Sequence, residues 1–347
     1  MASRLTAVVG LAALCAVAVA VPGGAGATPR SVSITWVGDI AMVASSDGGA
    51  SFFSPAIRQK LRNDVAIGNL EGTLAVGGSS KCGPTSTNCF AFRAPPAYAR
   101  LLRQAGFTLM NVANNHAWDY GAEGQRETLA ALRSTGLRWS GPRGLITVVR
   151  VHGIRVAVIG FAPYSWAQSL TDLPAAQRIV RRAKQEANLV VVVMHAGAEG
   201  ADRQHVKPGT EWFLGENRGD AEGFAHLVVD AGADLVVGSG PHVLRGMEWY
   251  HGRLVAYSLG NFLGDGTLGI GGMLGASGIL HVTLGTNGAY LHGDLTPVRL
   301  LSPGVPEIDS AEAAHGIVRA LSREDFGQNA MRVTVAGQLL PPAWRTG

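Results

Sequence analysis

Charge is scarce in this chain of 347 residues: only 16% are Asp, Glu, Lys or Arg. The 29 Lys and Arg outnumber the 25 Asp and Glu by four and are spread thinly. Their densest group, Arg178, Arg181, Arg182 and Lys184, fits the solvated face of one helix. With no clustered basic stripe, the chain does not read as a nucleic-acid binder. A Walker-type phosphate loop is missing, which excludes a P-loop nucleotidase. So is Gly-x-Ser-x-Gly, and Gly238-Ser239-Gly240 does not replace it, so no strained serine elbow is present. There are no internal repeats and no coiled-coil heptads. Hydrophobic residues make up 47%, enough for a packed core and too many for wholesale disorder.

Long apolar runs are confined to the N-terminus. Arg4 precedes an Ala/Val/Leu stretch from Leu5 to Val21, and Ala25-Gly26-Ala27 follows as a small-x-small cleavage site. Residues 1–27 therefore read as a secretory signal peptide cleaved near Ala27. The alternative is an uncleaved membrane anchor, which the apolar length just permits. Leu14 before Cys15 is too large for lipoprotein cleavage. The mature chain, residues 28–347, is expected to be secreted or extracytoplasmic, free or held at the cell surface. Cysteine is equally rare, with three residues. Cys15 leaves with the signal. Cys82 and Cys89 read as a disulfide in an exported protein. A metal pair is the rival, and no further Cys exists to complete it.

The stretch around which the chain is organised is Asn111-Val112-Ala113-Asn114-Asn115-His116-Ala117-Trp118-Asp119-Tyr120-Gly121. An apolar run from Gly106 precedes it and a helical pattern to Ser134 follows, so two amides, an imidazole and a carboxylate share one strand-to-helix loop. Open α/β sheets place their chemistry at such strand ends. Asn and Asp also favour loops for their own backbone bonds, so this loop alone is not decisive.

Other strand ends repeat the pattern. A first strand over residues 32–37 ends at Gly38-Asp39-Ile40. A second strand and its turn, Asp64 to Gly72, carry Asn69 and Glu71. Residues 189–194 form a continuous apolar run, as a central parallel strand should, and end at His195, with Glu199 just beyond. Residues 234–237 lead to His242, and residues 254–259 to Asn261. Helices are expected at 55–61, 95–104, 121–134, 174–187, 221–230 and 308–321. Residues 202–220 read as a long loop, a lid or a substrate-contacting insert, and 77–89 as a surface excursion. Residues 264–278 are glycine-rich, and a last hairpin turns at Thr286-Asn287-Gly288. A parallel sheet would bring the strand ends into one cleft of carboxylate, amide and imidazole. That mixture holds one or two divalent ions and activates water, and it suits manganese, zinc or iron.

These residues carry a resemblance. Gly38-Asp39-Ile40, Gly68-Asn69-Leu70-Glu71-Gly72, residues 113–121, residues 232–238, Pro241-His242-Val243 and Tyr257-Ser258-Leu259-Gly260-Asn261-Phe262 are similar to the motifs of the CapA family. These are capsule-synthesis, poly-γ-glutamate-associated proteins related to calcineurin-like metallophosphoesterases. The motif core covers residues 32–263, with the C-terminal hairpin and helix at 278–322. The resemblance implies an α/β fold, a four-layer α-β-β-α sandwich of metallophosphoesterase type. It implies a dinuclear-type site lined by Asp39, Asn69, Glu71, Asn115, His195 and His242. His116 would act beside the scissile group as proton donor or charge stabiliser, with Asn114 and Asp119 in the same catalytic loop. Glu199 and Asn261 are candidate substrate contacts. Three positions depart from the pattern. Ala41 holds the His place of the first motif, as is usual for CapA-like chains; Gly240 replaces the first His of His-Pro-His; and Ala196 replaces a Trp. Two functions follow. One is an exported metal-dependent hydrolase, of phosphoesterase or γ-glutamyl amide type, that acts on an anionic cell-surface polymer or its building blocks, with membrane-bound capsule export machinery as partner. The other is a non-catalytic polymer-binding or tethering protein on a degenerate scaffold.

Overall fold

The computed structural model describes residues 30–343. The expected signal peptide and Cys15 lie outside the described residues. The first strand, Ser31–Ile40, shows how the layers arise. Successive side chains on a strand point to opposite faces. Val32, Ile34 and Trp36 face one way and pack with Val65, Ile67 and Leu109 of neighbouring strands. Val37 faces the other way, and an irregularity at Asp39 resets the alternation so that Ile40 joins it; both pack, among others, with Ile57, Leu61, Leu102 and Leu132. Those four belong to the helices Pro55–Leu61, Ala99–Ala105 and Gly121–Ser134.

The Leu189–His195 strand divides in the same way. Leu189, Val191 and Val193 meet the first sheet's apolar face. Val190, Val192 and Met194 lie with Ile179 and Val180 of the Leu173–Glu186 helix and Phe224 and Val228 of the Ala221–Asp230 helix. The result is helices, sheet, sheet, helices, the four-layer α-β-β-α sandwich. Both faces of both sheets are covered, which is why these strands are continuously apolar.

The two sheets of the expected sandwich are both mixed, which corrects the reading of the site-bearing strands as one parallel sheet. The first runs, in spatial order, Val305–Ile308, Tyr290–Leu301, Ala276–Gly285, Ser31–Ile40, Val65–Leu70, Leu109–Asn111 and Arg138–Ser140, with Asn261–Leu263 also pairing parallel to Ser31–Ile40. The second runs Met247–Tyr250, Arg253–Ala256, Leu235–Ser239, Leu189–His195, Ile154–Ala162 and Thr147–Val151, with Gln168–Ser169 beside Ile154–Ala162. The parallel half of the first sheet forms early in the chain. The chain then crosses to build the second sheet and returns to close the first with an antiparallel hairpin. Apolar runs of this kind do not say to which of two stacked sheets they belong.

Other differences are local. The loop at 202–220 contains a small hairpin, Trp212–Phe213 with Glu216–Asn217. The short strand Arg138–Ser140 lacked an apolar signal. The hairpin at 276–301 is not the last, because Val305–Ile308 extends its edge and Arg332–Val333 pairs with Leu339–Leu340. The final helix is Ala313–Phe326, not 308–321. Ile308 stays in the edge strand, Asp309 accepts from the backbone N–H groups of Ala311 and Ala313 at 3.1 and 3.0 Å, and Glu312 turns the chain with φ +54°. Among the described residues no helix is long and apolar enough to cross a membrane.

Candidate metal centre

Strand register brings the expected residues together from both sheets. Asp39 lies beside Asn69 on one neighbouring strand and beside Asn261 on the other. Asn69 is in turn opposite Asn111. His195 ends its strand opposite Ser239 in the second sheet. The sheets are tied at this end by Trp36, whose Nε1 donates to the Gly238 carbonyl at 3.1 Å. Gly38 has to be glycine, because a Cβ there would run into the Gly260 carbonyl. The same carbonyl accepts from the Asp39 N–H at 3.0 Å, so this close approach sets the aim of Asp39.

Asp39, Glu71 and His242 each direct one ligand atom into a group whose members lie within 4.8 Å of one another. Asp39 Oδ1 accepts from Asn69 Nδ2 at 2.8 Å, and Oδ2 lies 3.2 Å from His242 Nδ1. Glu71 Oε2 is 3.9 Å from His242 Nδ1, and Oε1 is 3.7 Å from His195 Nε2. Glu71 is 0% exposed, yet neither carboxylate oxygen has a hydrogen-bond partner. A buried, unpaired carboxylate is costly unless a cation meets it. Two carboxylates and an imidazole also suit zinc, manganese or iron. On both counts the residues fit a divalent ion. His242 adopts φ +63°, a strained conformation for a non-glycine residue and one that accumulates at functional sites.

Ionisation follows the same geometry. Burial and the adjacent Asp39 charge push the Glu71 carboxyl well above the usual carboxylate range. Burial works against charge on His242, but the Glu71 charge and the bonds to Asp39 and Glu199 outweigh it and hold the imidazole well above its ordinary value. Burial also opposes charge on Asp39, and there the His242 partner wins and lowers it. His195 goes the other way: burial and the Arg218 charge pull it down to about 3, so it is neutral.

The remaining candidates surround this group. Asn69 Oδ1 accepts from Asn111 Nδ2 at 2.9 Å and Asn114 Nδ2 at 3.1 Å, so the amide is held on all sides and braces Asp39. Asn114 also bonds the Leu70 carbonyl and the His116 N–H, shaping the loop. Asn115 Nδ2 lies 3.3 Å from Glu199 Oε1, and its Oδ1 is buried without a partner. Glu199 Oε2 is 3.5 Å from His242 Nε2. Asn261 is fully buried. Its Oδ1 is 2.8 Å from His242 Nδ1 and its Nδ2 donates to the Gly269 carbonyl at 3.0 Å, so it orients His242. His116 stacks on Phe92 with ring centroids 4.3 Å apart, and its Nδ1 lies 2.8 Å from Asp119 Oδ2. Burial lowers its pKa more than Asp119 raises it.

Two functional side chains escaped the sequence reading. Lys81 Nζ lies 2.7 Å from Asp119 Oδ1 and joins His116 and Phe90 in lining the cleft. Arg218 pairs with Glu199 and lies 3.2 Å from His195 Nε2. Both sit in polar loops where neither periodicity nor spacing marks one cation over another. Lys81 adjoins the Cys82–Cys89 loop, whose two Cα atoms are 5.5 Å apart. The cleft rim is apolar: Phe90 is 62% and Leu214 78% exposed.

Comparison with known proteins agrees with the motifs. The PGA biosynthesis protein CapA of Bacillus subtilis (strain 168) is 30% identical over 257 residues, covering 67% of this chain and 63% of that protein. The capsule biosynthesis protein CapA of Bacillus anthracis is 29% identical over 262 residues, covering 68% and 60%. The chain thus spans about three fifths of the length of these relatives. A 5'-nucleotidase precursor from Thermus thermophilus superposes with TM-score 0.45 at 15% identity, over 86% of this chain and 60% of that one. Residues 33–266 match the family described as "Bacterial capsule synthesis protein PGA_cap". The chain belongs to this capsule synthesis protein family.

Proposed function

We propose that this protein is an exported, metal-dependent hydrolase acting in capsule or poly-γ-glutamate synthesis, export or processing. Its substrate is an ester or amide bond in an anionic surface polymer or its building blocks. The observation that carries this reading is the buried Glu71 carboxylate, unpaired on both oxygens and facing Asp39 and His242. Asp39, Glu71 and His242 would hold the ion, which would supply Lewis acidity toward a carbonyl or phosphoryl oxygen and lower the pKa of water.

The chain's own groups do the rest. Asp119 accepts from His116 Nδ1 and so assigns the neutral tautomer, leaving Nε2 free to exchange a proton with the reacting group. Lys81 Nζ lies 2.7 Å from the other Asp119 oxygen, Oδ1, and so fixes the carboxylate's position, and Phe92 fixes the ring plane. Glu199, Lys81 and the Phe90 and Leu214 rim flank the polymer's path. The apolar segment at residues 5–21 supports export, as does a disulfide between Cys82 and Cys89, which would stiffen the wall bearing Lys81.

A binding or tethering role without turnover is the second reading, favoured by Gly240, which removes one imidazole from the family pattern. Assays of γ-glutamyl and phosphodiester substrates with manganese decide between them. Turnover that is abolished by chelation and by Asp39→Asn supports the hydrolase. A metal-loaded protein that binds polymer and turns over neither substrate supports tethering.

A further inference from the structure

Arg218 is only 1% exposed. It lies between the Glu216–Asn217 strand and the Ala221–Asp230 helix, and its backbone is fastened on both sides. Its N–H donates to the Glu211 carbonyl, and its carbonyl accepts from Gly197, two residues past His195, each at 2.9 Å. Nη1 pairs with Glu199, and Nη2 lies 3.2 Å from His195 Nε2. A guanidinium has donors and no acceptor. The Nε2 lone pair of His195 is therefore turned toward Arg218, and while it accepts there it is not open to a metal.

Gly240 closes the other route to a second ion. It has φ +114°, and a Cβ built on it lies 3.3 Å from His195 Cδ2 and Cε1 and 3.2 Å from the Ala196 nitrogen. Glycine offers an ion no ligand, and this backbone conformation is strained for any residue that carries a side chain. Charge points the same way. The carboxylates of Asp39, Glu71 and Glu199 are neutralised by one divalent ion and one guanidinium. A second divalent ion would leave two positive charges in excess in a buried site, which desolvation penalises.

We propose that Arg218 stands in for a second cation. The centre takes one divalent ion, on Asp39, Glu71 and His242, and the guanidinium supplies the remaining positive charge beside His195 and Glu199. This inference rests on reading the centre as a metal site.

Calorimetric titration of the purified protein with Mn²⁺, followed by electron paramagnetic resonance, tests it. The wild type should bind one Mn²⁺ per chain and give the spectrum of an isolated ion. Arg218→Ala, shown to be folded by circular dichroism, should gain a second, weaker Mn²⁺ on His195, Glu71 and Glu199. Arg218→Lys, which keeps a cation, should stay at one. Two spin-coupled ions in the wild type overturn the inference and leave the metal reading standing, as does a folded Arg218→Ala that still binds only one. A wild type that binds no Mn²⁺, Zn²⁺ or Fe²⁺ removes the metal reading and this inference together. Should Arg218→Ala fail to fold, the wild-type stoichiometry still decides.

Discussion

His116 and Asp119 form a bonded pair within a single loop, Nδ1 to Oδ2 at 2.8 Å, and the Asp119 N–H returns to the His116 carbonyl at 3.2 Å. The ring is thereby aimed by its own chain segment, independently of the ion. His116→Gln is expected to lower kcat by about 10²- to 10⁴-fold, the range for a positioned proton-transfer group, with metal content unchanged. Asp119→Asn should cost less and flatten the pH profile. A His116→Gln protein as active as the wild type would remove the proton-transfer role.

Glu71 separates stability from metal binding. The unpaired carboxylate is a liability in metal-free protein and an asset in loaded protein. In chelator, Glu71→Gln should melt at the same temperature as the wild type or higher. With saturating Mn²⁺ the order should reverse, because an ion at about a hundred times its Kd stabilises by roughly 2.7 kcal/mol. Parallel melting curves with and without chelator in both proteins would count against the assignment.

Gly38 shows how narrowly the site is built. Its hypothetical Cβ collides with backbone, not with the end of a flexible side chain, so Gly38→Ala forces the first strand away from Gly260. Overpacking of this kind costs about 1–3 kcal/mol. Chemical denaturation should show that loss, and Mn²⁺ affinity should fall with it because Asp39 moves. Wild-type stability in Gly38→Ala would contradict the packing described.

His226 offers a pH test remote from the centre. It is partly buried, which opposes its charge, but Glu248 bonds its Nε2 at 2.9 and 3.1 Å and raises the pKa, with Glu222 and Asp230 adding to the effect. Tyr250 stacks on the ring at 3.7 Å. A pKa raised on folding contributes stability that is complete below the unfolded value of about 6.5 and is lost as pH rises through the folded value. The melting-temperature gap between wild type and His226→Gln should therefore be widest below the unfolded value of about 6.5 and narrow as pH rises above it. A gap that widens with pH contradicts the sign.

Many of the strands and helices are legible because periodicity records burial, whereas their four-layer arrangement is what the family resemblance implies. Helices 55–61, 121–134 and 221–230 coincide with Pro55–Leu61, Gly121–Ser134 and Ala221–Asp230. The strand ends holding Asp39, Asn69, His195 and Asn261 were visible because each apolar run stops at a polar residue. What periodicity does not encode is partnership across the chain. Arg218 reaches back to His195, and Lys81 reaches forward to Asp119, from loops with no repeating pattern. Which strand belongs to which of the two sheets is not legible for a related reason: a strand buried on both faces looks alike in either sheet. The resemblance offers Asn69 as a ligand, and Asn261 is a candidate substrate contact; the structure adds that Asn69 bonds Asp39 and Asn261 bonds His242, partnerships that residue type does not reveal.

Metal affinity measured on the purified protein bears most directly on the central claim, that Asp39, Glu71 and His242 share one cation. Calorimetric titration with Mn²⁺ should give a single saturable event in the wild type that disappears in Asp39→Asn and in His242→Ala, both folded. Binding that persists undiminished in both variants, or no binding of Mn²⁺, Zn²⁺ or Fe²⁺ by the wild type, would contradict it.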